Sequence, residues 1–355
     1  MVGCAAAAFL AEAGARVDLY ESGELAGAAS GRNSGVLQHP FDPVMAELHA
    51  ETMEHLRALD GIELPPEPAG ILMVSGDGAA LERADVDIVR EAPELSPRLL
   101  GERELRELEP ALARGLRACR LKTGYPVQPA AVTLALARRA RRAGARLHEH
   151  EPAWPWVVAG QTRGVLAAGL RRPADRVLVA AGPWTPEVVD PTGSWRPIAA
   201  VWGVVVELRL EDAPSHVVEE VGVEDVAGGG AGAGAVFSAV TAGGITSVGS
   251  TFLRAEPDPR AWVPRLLERA VRFLPAVGAA PVLGVRACAR PQALDGRPLV
   301  GELEDPTGLW VAAGHGPWGI STGAATGRLV AGALLETAVV PPELSVERIA
   351  LPSTG

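Results

Sequence analysis

The chain has 355 residues, of which 48% are hydrophobic, and a formal net charge of −10. This length and apolar content are enough for two domains, or for one large discontinuous domain, with a substantial core. The acidic balance argues against nucleic acid as a partner. Three cysteines without a C-x-x-C pair predict no disulfide framework and no metal site, and they favour a cytoplasmic location.

The first residues resemble the second half of a Rossmann βαβ unit. Ala5–Ala13 predicts a helix, and Arg16–Tyr20 predicts a strand that ends at Glu21. Gly3 occupies the place of the third glycine in G-x-G-x-x-G, and Glu21 that of the acidic residue that binds a ribose hydroxyl. The first strand and the first two glycines are missing, which leaves two expectations: a start farther upstream, or a chain defective in binding its cofactor. The half-motif alone is also typical of other α/β proteins.

The next 120 residues contain a loop, three helical regions and a strand. Residues 22–35 form a loop of small residues, which lets backbone amides approach a ligand closely. Pro43–Leu59 predicts an amphipathic helix, Gly70–Ser75 predicts a strand, and the charged residues 77–118 predict short helical pieces. Ala130–Ala143 predicts a further helix, whose arginines we interpret as an exposed face rather than a nucleic-acid patch.

Strand patterns dominate the rest of the chain. The predicted strands are 145–150, 176–182, 201–210, 235–240, 244–250 and 308–313. Helices are predicted at Trp262–Leu274 and Thr322–Leu335, the second after a Gly-rich turn at 314–319. The uncharged segment Val226–Leu253 is rich in Gly, Ser and Thr, so we interpret it as strands and turns, with no membrane span in the chain.

This order predicts an α/β fold with two interleaved domains. A Rossmann-like dinucleotide-binding domain, without its first strand, is assigned to 1–60, 120–200 and 285–355. A mostly antiparallel α+β substrate domain is assigned to 61–119 and 201–284.

Four blocks of sequence resemble the FAD-dependent D-amino-acid oxidase superfamily, in particular its glycine oxidase and sarcosine oxidase members. The first is the half Rossmann unit that ends at Glu21. The second is Ala29-Ser-Gly-Arg-Asn-Ser-Gly-Val-Leu-Gln-His39, and the third is Val177-Leu-Val-Ala-Ala-Gly-Pro-Trp184. The fourth runs from Arg290-Pro-Gln-Ala-Leu-Asp-Gly through Ala313-Gly-His-Gly-Pro-Trp-Gly-Ile320. Their order and spacing carry the resemblance.

The resemblance implies FAD as the cofactor. Glu21 would bind the adenosine ribose, 30–37 would run past the pyrophosphate toward the flavin, and 317–321 would cover the pyrimidine edge of the flavin ring. Amides at the start of the last helix would stabilise negative charge on that ring. The full set of implied cofactor contacts is Gly3, Glu21, Ser22, Ser30, Arg32, Asn33, Ser34, Gly35, Val36, Leu37, Ala153, Ala181, Gly182, Trp184, His315, Gly316, Pro317, Trp318, Gly319, Ile320 and Ser321.

Four residues are candidates for the substrate side. Arg290 stands five residues before Asp295, the spacing at which glycine oxidase places the arginine for the substrate carboxylate; the alternative is an arginine paired with Asp295 or another acid. Arg286 is a second candidate, with a structural role preferred. His39 would line the pocket or stabilise its loop, and Trp318 would wall the active site or pack in the core.

Two further positions bear on the resemblance. Cys288 stands seven residues before Asp295, as does the cysteine that links flavin covalently in monomeric sarcosine oxidase. We prefer a buried core cysteine, and therefore non-covalent FAD. Phe237 replaces the tyrosine that binds the carboxylate in glycine oxidase.

The resemblance implies an FAD-dependent oxidoreductase that oxidises the C–N bond of an amino acid or secondary amine by hydride transfer to flavin N5. Oxygen or another acceptor would take up the electrons. Two alternatives stay open: an FAD-dependent 2-hydroxy-acid dehydrogenase, and a non-catalytic remnant that has lost FAD. Both flavin readings require the turns 31–37 and 314–321 to meet in one cleft.

Overall fold

The computed structural model describes residues 1–222 and 234–349. Parts of the predicted ranges 201–284 and 285–355 therefore lie outside the described residues. The α-helices are α1 (Val2–Glu12), α2 (Ala29–Arg32), α3 (Pro43–Arg57), α4 (Gly78–Glu91), α5 (Glu102–Leu108), α6 (Ala131–Arg142), α7 (Thr185–Val189), α8 (Pro259–Val271) and α9 (Gly319–Leu334). Short 3-10 helices occur at Pro93–Leu95, Gly182–Trp184, Pro275–Ala279, Gly316–Trp318 and Val346–Arg348.

The strands are β1 (Asp18–Tyr20), β2 (Val36–Leu37), β3 (Ile71–Ser75), β4 (Arg98–Leu100), β5 (Arg117–Leu121), β6 (Tyr125–Pro126), β7 (Arg146–His148), β8 (Ala153–Val158), β9 (Gln161–Ala167), β10 (Leu170–Pro173), β11 (Val177–Val179), β12 (Ile198–Leu208), β13 (Val217–Glu220), β14 (Ser238–Ala242), β15 (Ile245–Gly249), β16 (Val282–Ala293), β17 (Leu299–Glu302) and β18 (Leu309–Ala313).

One half of the molecule is built on short parallel strands. β1 pairs with β7, and β11 pairs with β18, both in parallel, while β17 runs antiparallel to β18. Helix α1 packs between α6 and α9. The contact with α9 is close because small residues meet there: a Cβ added to Gly327 would collide with Ala5. The alanines of α1 therefore allow tight helix packing. Close packing is also the role of the third Rossmann glycine, the place assigned to Gly3.

β1 and β11 stand on either side of α1. Among the described residues β1 has β7 as its strand neighbour and β11 has β18, so each keeps one edge without a partner strand. Gly3 of α1 lies between them: its ideal Cβ would be 3.8 Å from Leu19 and 3.5 Å from Ala180. The space between these two edges is part of the cavity described below.

The other half is an eight-stranded sheet in the order β16-β12-β15-β14-β13-β3-β5-β4. The neighbours are antiparallel except β13 and β3, which are parallel. Alternate residues point to opposite faces. Val204, Val206, Phe237 and Val248 pack on one face in a core that also contains Leu266 of α8. The opposite face turns toward the parallel-strand half, so the cavity is enclosed between the two halves.

The predicted α/β architecture is confirmed, with three local differences. Leu99 and Leu100 were assigned to a helical region but belong to strand β4, because β5 offers them a partner from a distant part of the chain. Several strands were not predicted, among them β5, β9, β10, β13, β16 and β17, and β16 spans the expected domain boundary at 284/285. α9 begins at Gly319, three residues earlier than predicted.

Within residues 1–222 and 234–349, none of the helices has the length and apolar character needed to cross a membrane.

Candidate cofactor and substrate site

A cavity of about 1160 Å³ lies between the two halves. It exceeds the roughly 300–1,000 Å³ typical of small-molecule sites, so it has room for a dinucleotide and a substrate together. Its wall includes Glu21 at the end of β1, the loop around Asn33, and the turn at Gly316 before α9. The two turns that were expected to share a cleft therefore do so.

Most of the predicted site residues line this cavity. They are Gly3, Glu21, Ser22, Ser30, Arg32, Asn33, Ser34, Gly35, Val36, Ala153, Ala181, Gly182, Trp184, Arg290, His315, Gly316, Pro317, Trp318, Gly319 and Ile320. Leu37, His39 and Ser321 are not part of its wall. Leu37 is fully buried in the core beside Tyr125, and Ser321 is buried in α9.

Glu21 is held at one end of the cavity by its own chain. Its Oε1 accepts hydrogen bonds from the amide of Gly23 at 2.9 Å and from the Ser22 hydroxyl at 3.3 Å. The backbone amide of Glu21 donates to the carbonyl of His148, the last residue of β7, at 2.9 Å. The carboxylate is thus fixed at the carboxyl end of a parallel strand, where it can accept hydrogen bonds from ribose hydroxyls.

The loop at residues 29–35 is shaped by Asn33. Its Nδ2 donates to the carbonyls of Ala29 at 3.1 Å and Ser30 at 3.3 Å, and its Oδ1 accepts from the amide of Gly35 at 2.9 Å. Gly35 has φ +83°, and a Cβ there would overlap the carbonyl of Val127. A glycine is therefore required at this point, and small residues (Ser30, Ser34 and Gly35) form much of the loop's part of the cavity wall.

The second turn, at residues 314–319, leads into α9. Gly316 has φ +55°, and its ideal Cβ would be 2.5 Å from the side chain of Gln292. After the 3-10 turn, the first two residues of α9, Gly319 and Ile320, line the cavity. The free amides at this helix start carry a positive partial charge, which therefore lies at the cavity wall. The two turns are joined directly, since the amide of Gln38 donates to Ser321 Oγ at 3.0 Å. Ser321 therefore ties the wall together from behind.

The two candidate histidines differ in position. His315 lines the cavity; its Nε2 lies 3.0 Å from Thr326 Oγ1, and burial lowers its pKa to about 3. It is therefore uncharged at neutral pH. His39 lies outside the cavity wall: its amide donates to Thr123 Oγ1 at 2.9 Å, and its Nε2 lies 3.4 Å from Glu94. Burial also lowers the pKa of His39.

Arg290 marks the opposite end of the cavity from Glu21. Its guanidinium donates to the carbonyl of Thr251 at 2.9 Å and to Ser250 Oγ at 2.7 Å, and its Cζ lies 4.3 Å from the ring centre of Phe252. Burial lowers its pKa. Asp295 accepts instead from Arg348, at 2.6 and 3.0 Å, so the alternative pairing of Arg290 with Asp295 is not formed.

No carboxylate in the part of the chain that the structure describes forms an ion pair with Arg290. Arg286, by contrast, pairs with Glu207 and also donates to the carbonyl of Asn33 at 3.1 Å. The neighbour that makes room for Arg290 is Gly203 of β12, whose ideal Cβ would be 2.5 Å from a guanidinium nitrogen. One cation at this end is neutralised and the other is available to a ligand.

Sequence reasoning missed several residues around Arg290. Glu219, Ser238, Gly203 and Phe252 also line this end of the cavity. Phe237 does not: it is fully buried and stacks on Phe273 with ring centres 4.7 Å apart. The signal that could have pointed to Glu219 is a pair of glutamates within an otherwise apolar strand, Val217–Glu220.

Cys288 is buried and lines the cavity between Arg286 and Arg290 on β16. Its Sγ lies 3.6 Å from the carbonyl of Arg32, and burial raises the pKa of the thiol. Trp318 lines the cavity and also packs against the apolar cluster that contains Met45 and Leu48. Both roles considered for Trp318 are therefore compatible with its position.

A Rossmann-type half and an antiparallel half that share one cavity are typical of dinucleotide-dependent enzymes. The family model described as FAD dependent oxidoreductase (DAO) matches residues 1–333, and the chain belongs to this family. The residues present fit FAD: the wall of this cavity contains the fixed carboxylate of Glu21, the loop at residues 29–35 and the start of α9. The protein is an FAD-dependent oxidoreductase.

Individual relatives agree over nearly the whole chain. A glycine oxidase from Bacillus licheniformis is 25% identical over 358 residues, covering 94% of this chain and 90% of the relative. The solved structure of glycine oxidase from Geobacillus kaustophilus has a TM-score of 0.80 at 25% identity, covering 99% and 96%. Iminodiacetate oxidase from Chelativorans sp. BNC1 has a TM-score of 0.81 at 24% identity, covering 97% and 96%, and shows the same fold.

Proposed function

We propose that the protein oxidises the C–N bond of an amino acid or secondary amine whose carboxylate binds to Arg290. The observation that carries this proposal is the position of Arg290: a guanidinium deep in the molecule, in the cavity wall, without an acidic partner among the described residues. Such a cation is costly unless a ligand neutralises it. Guanidinium can hold both oxygens of a carboxylate at once.

The names of the relatives support an amine substrate. Glycine oxidase and iminodiacetate oxidase act, by name, on small molecules that carry both an amine and a carboxylate. The same two groups would suit a wall that offers Arg290 and a neutral His315. The substrate amine must be neutral to react. An uncharged His315 adds no positive charge to the site.

The reaction balances as follows. The carbon beside the neutral amine nitrogen loses a hydride, and the nitrogen lone pair forms the C=N bond of an iminium ion. Water then hydrolyses this ion to a carbonyl compound and an ammonium or alkylammonium ion. FAD, when bound, accepts the hydride. Arg290, held by Ser250 and Thr251, would orient the substrate through its carboxylate, while Phe252 and Ile320 exclude water from the same end of the cavity.

The remaining predicted contacts would hold the cofactor. Glu21 and Ser22 would bind the adenosine ribose, the loop Ser30–Val36 the pyrophosphate, and the turn Gly316–Ile320 the pyrimidine edge of the flavin. The amides at the start of α9 favour negative charge at that edge. We propose that FAD is bound without a covalent link, because burial keeps the Cys288 thiol protonated and a thiol is a poor nucleophile.

The test is anaerobic mixing of FAD-loaded protein with two panels of compounds. Amines such as glycine, sarcosine, proline and iminodiacetate should bleach the visible flavin absorbance, while lactate and 2-hydroxyglutarate should not. Bleaching by the hydroxy acids alone would establish the dehydrogenase instead. A protein that is colourless after incubation with excess FAD and removal of the unbound FAD would be the non-catalytic remnant. Acid precipitation should release all the yellow colour; colour retained in the pellet would show a covalent link.

Admitting air to the bleached enzyme identifies the electron acceptor. Recovery of the flavin absorbance with formation of hydrogen peroxide would show an oxidase. Slow recovery in air but fast recovery with a quinone or dye would show a dehydrogenase.

A further inference from the structure

The end of the cavity beyond Arg290 is roofed by one face of the eight-stranded sheet. Four residues there are direct lateral neighbours: Glu219 opposes Ser238, Ser238 opposes Gly249, and Gly249 opposes Val205. They form one row across β13, β14, β15 and β12. Glu219, Ser238 and Val205 all line the cavity.

The residues on either side of this row point the other way. Val218, Ala239 and Val248 belong to the core on the opposite face, together with α8. Glu220, next to Glu219, also points there: its carboxylate accepts from the amide of Phe237 at 2.6 Å and pairs with Arg269. Two adjacent glutamates therefore have different tasks, one structural and one at the cavity.

The separation of the two charged groups sets the size of a ligand that could join them. The guanidinium of Arg290 reaches over Gly203 of β12 and bonds to Ser250, just after β15. Glu219 stands on β13, three strands from β12. Three strand spacings are about 14 Å. An α-amino group, one carbon from its carboxylate, is too close to span this gap, whereas an ammonium at the end of a lysine-like side chain can reach across it.

The setting of Glu219 favours a cationic ligand. Its side chain is only 7% exposed, and that exposure includes cavity surface. A carboxylate in such a place attracts positive charge more strongly than one in water, because screening is weak. The neighbouring Ser238 hydroxyl offers a further hydrogen-bond acceptor on the same face.

We propose that Glu219 determines substrate specificity by binding a second, distal cationic group. The substrate class would be amino acids whose side chain ends in an ammonium or guanidinium group. This inference rests on the proposed function, since it takes Arg290 as the carboxylate site and the cavity as the place of amine oxidation.

The first test is a binding comparison that needs no turnover. FAD-loaded enzyme is titrated with 6-aminohexanoate and with hexanoate, and flavin absorbance or thermal shift reports binding. Both carry a carboxylate and lack an α-amine, and only the first has a distal cation. We expect 6-aminohexanoate to bind at least 10-fold more tightly. Equal affinities would overturn the proposal even if no variant could be made.

The second test uses variants. Glu219→Gln should abolish the preference for 6-aminohexanoate and leave hexanoate binding within about 2-fold, since the amide keeps the shape and loses the charge. Glu219→Asp should retain part of the preference. The matched control is Glu67→Gln, which removes an exposed carboxylate that pairs with Lys122 at 3.2 Å. A Glu219→Gln variant that weakens both ligands equally would assign Glu219 a structural role and end the proposal.

Turnover separates this inference from the proposed function. Lysine and ornithine, in both configurations, are compared with norleucine and norvaline, and kcat/KM should be at least 10-fold higher for the cationic members. If the neutral amino acids reduce the flavin but the cationic ones show no advantage, amine oxidation stands and the role of Glu219 falls. If hydroxy acids alone reduce the flavin, both proposals fall.

Discussion

The two walls of the cavity present different chemistry. The wall formed by the Asn33 loop and the Gly316 turn presents backbone amides and small residues. The wall formed by the eight-stranded sheet presents Arg290, Glu219 and hydroxyl groups on side chains. Backbone recognition tolerates most substitutions, whereas a charged side chain changes its ligand with one substitution. In this fold, substrate binding can therefore change by substitution in the sheet wall while cofactor binding by the loop wall is kept.

Replacing Arg290 tests the sheet wall most severely. Arg290→Met should lower kcat/KM for carboxylate substrates by roughly 10²- to 10³-fold, because about two charge-assisted hydrogen bonds are lost. FAD binding should not change, since the loop wall is untouched. Anaerobic flavin reduction and FAD titration measure the two effects. Arg290→Lys is the conservative variant and should recover part of the loss. A parallel fall in FAD affinity would show that the two walls are not independent.

A smaller change to the same wall displaces Arg290 without removing it. In Gly203→Ala the new Cβ would lie 2.5 Å from the guanidinium, so the side chain must move. We expect a rise in KM of roughly 10- to 100-fold, as is typical of a positioning error of about 1 Å. Gly76→Ala is the matched control, because a Cβ at Gly76 meets nothing within 4 Å. An unchanged KM would show that Arg290 does not hold the carboxylate in this position.

Arg286 connects the two walls. It pairs with Glu207 on the sheet and donates to the carbonyl of Asn33 in the loop at 3.1 Å. Arg286→Gln should raise the Kd for FAD about 10-fold, through loss of a charged hydrogen bond to the loop. Fluorescence titration with FAD measures it, with the exposed Arg272→Gln as control. If FAD affinity holds while KM rises, Arg286 serves the substrate side instead.

The smallest effect concerns packing behind the loop wall. Glu51 of α3 is bonded by Arg328 of α9 and by His55 at 3.1 Å. Partial burial raises its pKa, but these hydrogen bonds outweigh it and lower the pKa to about 2. Because the folded pKa lies below the ordinary value of 4.5, the stabilisation is present above pH 4.5 and is lost as pH falls toward 2.

Urea unfolding of Glu51→Gln should show a loss of about 1 kcal/mol at pH 7, and the difference from wild type should shrink at pH 3. The exposed Glu54→Gln on the same helix is the control. A pH-independent difference would mean that the carboxylate charge contributes nothing to the contact between α3 and α9.

Local patterns were sufficient for much of the loop wall. The alanine run predicted α1, and the small-residue loop predicted backbone exposed near a ligand, because helix propensity, strand alternation and glycine turns act over a few neighbouring residues. The spacing of Arg290 to Asp295 selected an arginine that lines the cavity, although the absence of a pair between Arg290 and Asp295 depended on Arg348, 53 residues farther along the chain.

Local patterns could not predict which side chains of the sheet wall face the cavity. Whether Glu219 faces the cavity or the core depends on the register of β13 against β14 and β3, and a shift of one residue would exchange it with Glu220. Phe237, aligned by resemblance with a substrate-binding position, lies in the core, while Ser238 faces the cavity. The sequence by itself determined most of the helices and the cofactor-side motifs, since these depend on neighbouring residues. Only the tertiary structure decided which side chains meet the substrate, because strands distant in the chain set each other's register.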